Sequence, residues 1–238
     1  LAAGLTQAWK TRLGGRLTQP VVAAGKLLTA DVDGGTVYAV NRTSGRPAWQ
    51  VTVPGRVGSP PAIAGGMAIF GCADGWVHSV RLSDGASIWR FFAAPADVKT
   101  VAFNQVESLW PVHGSILVLD GVAYCSAGRS TWLDGGVRLW GLDPATGEIL
   151  HKTHYASTHP DYQKLTEVDE ATRKAETSRT DQNLTDYKTV GHPDLSDAFS
   201  MEGGTIRDVL VSDGRNVFLH TTQFDAKLRR KEKATRHL

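Results

Sequence analysis

Four basic side chains lie at comparable points along the chain and could together hold an anion. Arg16 and Arg56 are forty residues apart in similar stretches of sequence, and His113 and Arg207 lie near the matching points of later stretches. If these positions converge on one axis, their charge would attract a carboxylate or an acidic glycan into a partly dehydrated funnel. The alternative is that each cation pairs with an Asp or Glu of a neighbouring loop or faces water. Both interpretations stay open at this point.

A second group of candidate residues surrounds an unusually long connection. Glu107, Trp110 and His113 are close in sequence, and Arg129 lies in a turn further along. Long connections in compact folds often carry functional residues. Trp110 could stack on a sugar ring while Glu107 and Arg129 hydrogen-bond its hydroxyls, or it could cap the hydrophobic core.

No residue is predicted to be catalytic or to bind a metal. A polar stretch near the C-terminal half contains His151, His154, His159 and Asp161. Their spacings match no standard pattern of metal ligands. The two cysteines of the chain, Cys72 and Cys125, lie in apolar strand-like runs. We expect two small buried side chains there, and a disulfide between them is not predicted.

The elements that would position these residues follow from a repeat of about forty residues. Trp9, Trp49 and Trp89 are separated by that step, and the glycines and valines around them fall into the same register. A unit of this length cannot bury its apolar face alone, so it stacks on its neighbours. Each unit contains four short apolar runs separated by Gly-rich turns. The repeat therefore predicts an all-β fold of four-stranded antiparallel blades, a β-propeller.

Composition agrees with such a fold and excludes several classes of protein. The chain has 238 residues, 41% of them hydrophobic and 21% charged, which is ordinary for a globular domain. Its 25 glycines against 2 methionines fit many short strands and tight turns better than a helical bundle. A net charge of +2 is too small to indicate a nucleic acid partner. No apolar run is long enough to form a transmembrane segment.

The repeat also predicts domain boundaries. Residues 1–150 hold the propeller blades, and about three to four blades of a larger ring are expected, with the rest of the ring missing from this chain. The predicted segments are the end of a preceding blade (9–14), blade one (15–54), blade two (55–94), an insertion (90–111), blade three (112–150), a polar insertion (151–204), the start of a further blade (205–224) and a basic tail (225–238). A surface helix over 165–178 is one alternative for part of the polar insertion, and closure of a four-bladed ring is another for the whole chain.

The second half of each blade carries a motif. Residues 39–49 are Ala-Val-Asn-Arg-Thr-Ser-Gly-Arg-Pro-Ala-Trp, residues 79–89 are a second copy, and residues 141–151 are a third that ends in His151 instead of Trp. The motif resembles the tryptophan-docking motif of PQQ-like, quinoprotein-type β-propeller repeats. The chain also looks like PQQ-like repeat proteins of environmental bacteria, planctomycetes especially. The docking residues that this resemblance implies are Trp9, Trp49, Trp89, Gly45, Gly85 and Gly147.

The resemblance implies a function of one of two kinds. The first is a non-catalytic, extracytoplasmic module that binds a protein partner or a small anionic or carbohydrate ligand, as outer-membrane assembly factors bind partner domains. The second is part of a dehydrogenase that oxidises alcohols or sugars with pyrroloquinoline quinone (PQQ) and calcium. The sequence has no pair of adjacent cysteines and no carboxylate cluster with the expected spacing. We therefore predict the first kind, with no cofactor, in the periplasm or another extracytoplasmic compartment.

Overall fold

The computed structural model describes residue 4 and residues 6–131, 133–156 and 209–231. This part of the chain is folded into short strands, and none of it is helical. Within each sheet, every strand pairs antiparallel with the next strand in sequence. The fold is therefore a meander of small sheets, as the spacing of turn residues predicts.

Three of the sheets have four strands each. The first consists of β1 (Val21–Ala23), β2 (Lys26–Asp31), β3 (Thr36–Asn41) and β4 (Pro47–Thr52). The second consists of β5 (Ala62–Ala64), β6 (Met67–Gly71), β7 (Trp76–Arg81) and β8 (Ser87–Phe92). The third consists of β11 (Leu117–Leu119), β12 (Val122–Ala127), β13 (Val137–Leu142) and β14 (Ile149–Tyr155). These sheets are called blades one, two and three below.

Two smaller sheets complete the described part of the chain. A two-stranded hairpin of β9 (Lys99–Ala102) and β10 (Gln105–Ser108) lies between blades two and three in sequence. A three-stranded sheet, blade four, consists of β15 (Leu210–Ser212), β16 (Asn216–Leu219) and β17 (Thr222–Asp225).

The hydrophobic core lies between the blades, because alternate side chains of a strand point to opposite faces of its sheet. In β6, Ala68 and Phe70 join the cluster shared with blade one, whereas Met67 and Ile69 join the cluster shared with blade three. A third cluster joins blade three to blade four. A single blade cannot cover its own apolar faces, so each blade stacks against the next. This arrangement is a partial β-propeller without a closed ring, which confirms the predicted fold class.

Three segments differ from their expected extents. Strand β14 continues to Tyr155, so blade three extends into the range predicted as a polar insertion from residue 151. The connection over 90–111 is not an irregular loop, because it contains the β9–β10 hairpin. Blade four has a third strand over Thr222–Asp225, and Phe224 forms a further bridge with Arg230, so the predicted basic tail begins inside this sheet. The helix considered over 165–178 lies outside the described residues.

Candidate functional site

The three tryptophans of the repeat make the same contact with the following blade. The indole Nε1 of Trp49 donates to the carbonyl of Leu82 (3.0 Å), and the ring lies against Gly85. A Cβ on Gly85 would lie 2.9 Å from Cδ2 of Trp49, closer than carbon atoms pack. Trp9 and Trp89 repeat the arrangement with the carbonyls of Arg42 and Pro144 and with Gly45 and Gly147.

The contact is positioned by the turn between the third and fourth strands of each blade. The acceptor carbonyl lies three residues before the glycine in all three cases, and the glycine has a positive φ of 69–77°. Glycine is suited to both demands, because it adopts this conformation readily and leaves room for the ring. His151 stands on β14 where the earlier blades have Trp, and its Cβ lies beside Gly141 of its own sheet.

A buried polar cluster forms where the hairpin meets blade two. Arg56 Nε donates to Glu107 Oε1 at 2.5 Å, and the Glu107 side chain is completely buried. The second carboxylate oxygen, Oε2, lies 3.5 Å from His113 Nε2. The structure thus brings together three of the residues predicted from the sequence: Arg56 and His113 from the candidate cation ring, and Glu107 from the long connection.

This cluster holds the hairpin in place. Glu107 belongs to β10, and Arg56 precedes blade two in the chain. The guanidinium carbon of Arg56 also lies 3.9 Å from the ring centroid of Phe103 at the tip of the hairpin, a cation–π contact. Because both charges are desolvated and mutually neutralised, the pair is suited to anchoring the strand rather than to holding a solvent-borne anion.

The remaining predicted residues lie around this cluster or apart from it. Trp110 packs on the core between blades two and three, and its Nε1 donates to the carbonyl of Asp134 (2.7 Å). Arg129 Nη2 donates to the carbonyl of Ser108 (3.3 Å). The ring of Trp110 therefore has the core-capping placement.

Arg16 is separate from the buried cluster. It forms an exposed ion pair with Asp33 (3.0 Å). Its equivalent Arg56 is also paired with a carboxylate, so the two arginines have the partners foreseen in the alternative interpretation. Arg207 lies outside the described residues.

The outer face of the hairpin is apolar and open to solvent. Val101 and Val106 are cross-strand partners, and their residues are 75% and 64% exposed. Phe103 at the tip is 73% exposed. The opposite face carries Glu107 and packs inward. Exposed apolar side chains grouped on one rigid element are a common feature of contact surfaces.

The two cysteines are buried and not joined to each other, as the sequence predicts. His154 contacts the carbonyl of Gly135, whereas His159 and Asp161 lie outside the described residues. Cys72 and Cys125 are both free and buried, and burial raises the pKa of the Cys125 thiol to about 12.

One cluster of metal-ligating side chains was missed by the sequence prediction. Cys72 Sγ, a carboxylate oxygen of Asp74 and a ring nitrogen of His78 all lie within 4.8 Å of one another. Burial opposes ionisation of Asp74, but polar contacts with His78 and Cys72 and the backbone N–H of Trp76 outweigh it and lower the pKa of the carboxyl group. The sequence signal for this cluster is that Cys72, Asp74 and His78 differ in type from the residues at the equivalent positions of blade one.

The stacked four-stranded sheets and the tryptophan contacts between them define a PQQ-like β-propeller. The chain belongs to the PQQ-like family described as outer membrane protein assembly factor BamB, whose profile matches residues 4–173. No curated protein matches the chain. No helix in the described part of the chain is long and apolar enough to span a membrane.

Solved structures similar to the chain include enzymes, an assembly factor and a designed protein. Quinohemoprotein alcohol dehydrogenase ADHIIG from Pseudomonas putida HK5 is 17% identical, with a TM-score of 0.48 over 57% of this chain and 20% of the enzyme. BamB from Moraxella catarrhalis is 22% identical, with a TM-score of 0.42 over 58% of this chain and 37% of BamB. The computationally designed Ika4 protein is 11% identical, with a TM-score of 0.49 over 92% of this chain and 91% of Ika4. The chain therefore spans well under half the length of the two natural proteins.

The one cluster of metal-ligating side chains found in the described residues does not have the chemistry of a calcium site. Calcium prefers six to eight oxygen ligands, whereas the one cluster of metal-ligating side chains found in the described residues combines a thiol, a carboxylate and an imidazole. The buried carboxylate of Glu107 is already paired with Arg56.

Proposed function

We propose that the chain is a non-catalytic β-propeller module that binds a protein partner through the outer face of the β9–β10 hairpin. The observation that carries this proposal is the exposed group of Val101, Phe103 and Val106 on a strand pair anchored by the buried Arg56–Glu107 ion pair. A rigid apolar surface binds a protein with little loss of conformational entropy. A matching partner would present an apolar strand or groove to this surface.

Family membership supports the same kind of function. The family is described as an outer membrane protein assembly factor, and an assembly factor acts by contact with other proteins. By the same likeness we propose a periplasmic or other extracytoplasmic location. A small anionic or carbohydrate ligand has less support, because Arg16 and Arg56 are paired with carboxylates and Trp110 caps the core.

Site-specific photo-crosslinking in the cells that produce the protein tests the proposal. A photoreactive residue at position 103 should give a discrete adduct with another protein, whereas the same residue at Thr43, in an exposed turn of blade one, should not. A second variant, Val101→Asp with the photoreactive residue retained at position 103, should lose the adduct. Equal adducts at positions 103 and 43, or none at 103, would contradict the proposal. Dye reduction with alcohols, dependent on added quinone and calcium, would favour the dehydrogenase instead.

A further inference from the structure

The turn between β6 and β7 places three different metal-ligating groups side by side within seven residues. Cys72 and Asp74 lie in the turn, and His78 lies on β7. The turn is fixed by hydrogen bonds from Gly75 N to the Cys72 carbonyl (3.2 Å) and from Trp76 N to Asp74 Oδ1 (3.0 Å). The second carboxylate oxygen, Oδ2, is left facing His78 Nε2 at 3.9 Å.

His78 has a ring nitrogen without a hydrogen-bond partner among the described residues. Its ring is stacked on Phe70, the cross-strand partner, with centroids 5.5 Å apart. Nε2 is buried and has no hydrogen-bond partner among the described residues, since the distance to Asp74 Oδ2 is too long for a hydrogen bond. A buried polar atom without a partner is costly, and an unlocated ion is one established explanation for it.

The fold does not require these three residue types. In blade one the equivalent positions, forty residues earlier, hold Val32, Gly34 and Tyr38, none of which is a common metal ligand at this type of site. Blade one forms the same β-hairpin without them. The hairpin of the repeat therefore forms without the thiol, carboxylate and imidazole that blade two has at these positions.

We propose that Cys72, Asp74 and His78 bind a divalent transition-metal ion, for which Zn²⁺ is the best match. Zinc takes thiolate, imidazole and carboxylate ligands at about 2.0–2.3 Å in tetrahedral geometry, which places ligand atoms about 3.3–3.6 Å apart. The three side chains are all within 4.8 Å of one another, so a contraction of well under 2 Å completes the site. Binding replaces the proton of the Cys72 thiol, which leaves to solvent.

The arrangement has three protein ligands and leaves the fourth tetrahedral position to water. The side chains of His78 and Asp74 are 16% and 13% exposed, so the site lies just beneath the surface. Catalytic zinc sites have three protein ligands and one water, whereas structural zinc sites have four protein ligands. The site shares no residue with the hairpin surface proposed above.

Cobalt titration of the full chain without an affinity tag tests the site. One equivalent of Co²⁺ should produce a sulfur-to-metal charge-transfer band in the near ultraviolet, and Zn²⁺ should abolish it. Cys72→Val and His78→Tyr introduce the residues that blade one has at these positions, so both variants should fold and should lose the band. Cys125→Val removes the other buried thiol and should keep it.

A thermal unfolding assay gives an independent result. Zn²⁺ should raise the melting temperature of the wild-type chain and of Cys125→Val, because a ligand that binds only the folded state stabilises it. It should not change that of Cys72→Val or His78→Tyr. Absence of the cobalt band from the wild-type chain, or its survival in Cys72→Val, would overturn the proposal. Neither result would affect the crosslinking test of partner binding.

Discussion

The two ion pairs formed by equivalent arginines show how burial decides what a charge contributes. Arg16 and Asp33 are both more than half exposed, whereas the Glu107 side chain paired with Arg56 has no solvent exposure. An exposed pair stabilises by at most about 1 kcal/mol because water screens it. Removing one partner of a buried pair instead leaves an uncompensated charge in a poorly polarisable environment. Equivalent arginines of the repeat thus form one exposed and one buried ion pair, which contribute differently to stability.

This difference leads to a prediction at the Arg56–Glu107 pair. Glu107→Gln keeps the size of the side chain but leaves the Arg56 guanidinium without its counter-charge. We expect the free energy of unfolding to fall by about 3–5 kcal/mol. Chemical denaturation measures the change.

The control for Glu107→Gln is the exposed pair. Asp33→Asn should change the free energy of unfolding by no more than about 1 kcal/mol. Similar losses in the two variants would show that the Arg56–Glu107 pair does not anchor the hairpin.

At the scale of the element, the turn between the third and fourth strands of each blade binds the tryptophan of the preceding blade. The turn of blade two offers the Leu82 carbonyl and the bare backbone of Gly85 to Trp49. The backbone conformation of this turn and its contact with the preceding blade therefore both depend on Gly85.

Two glycines with nearly the same backbone conformation separate these effects. Gly85 has a φ of 77° and Gly121 a φ of 78°, but only Gly85 has a ring where its Cβ would be. Gly121→Ala should cost about 1–2 kcal/mol from the left-handed conformation alone. Gly85→Ala should cost a further 1–3 kcal/mol or so, because the new methyl group overlaps Trp49. Equilibrium unfolding of both variants checks this, and equal losses would refute a docking role for Trp49.

Residues that share the period of the repeat could be predicted from the sequence, and residues that depart from it could not. Trp49 and Gly85 were predicted because their positions recur every forty residues. The partners Arg56 and Glu107 were both singled out, but their contact spans 51 residues across an insertion that has no period. Strand β17 was missed because its Thr-Gln-Phe-Asp sequence has little apolar alternation, although a two-residue turn pairs it directly with β16.

Across the whole molecule, each blade depends on its neighbours for its core. The clusters shared by blades one and two, two and three, and three and four contain nearly all of the buried apolar side chains. Stability in such an array is a sum of terms for each unit and each interface. The effect of a core mutation should therefore be largest at the interface where it lies.

Paired core mutations at the two ends of the array test this locality. Leu139 and Leu28 are fully buried in the last and first clusters respectively. Each change to Ala should cost about 2–5 kcal/mol. Hydrogen exchange should show loss of protection first in β15–β17 for Leu139→Ala and first in β1–β4 for Leu28→Ala. A uniform loss in either variant would mean that the blades unfold as one cooperative unit.

The two ends of the β9–β10 hairpin lie close together beside blade two. Leu109 N donates to the Val98 carbonyl (2.8 Å), and Ser108 N donates to the Ala73 carbonyl (2.8 Å), so the base is closed against blade two. Beyond that closure, Glu107 and Phe103 still contact Arg56, whereas Val101 and Val106 are exposed. The base is therefore an exchange point, at which hairpins that keep Glu107 but carry other exposed residues can be grafted to give the same scaffold a different binding specificity.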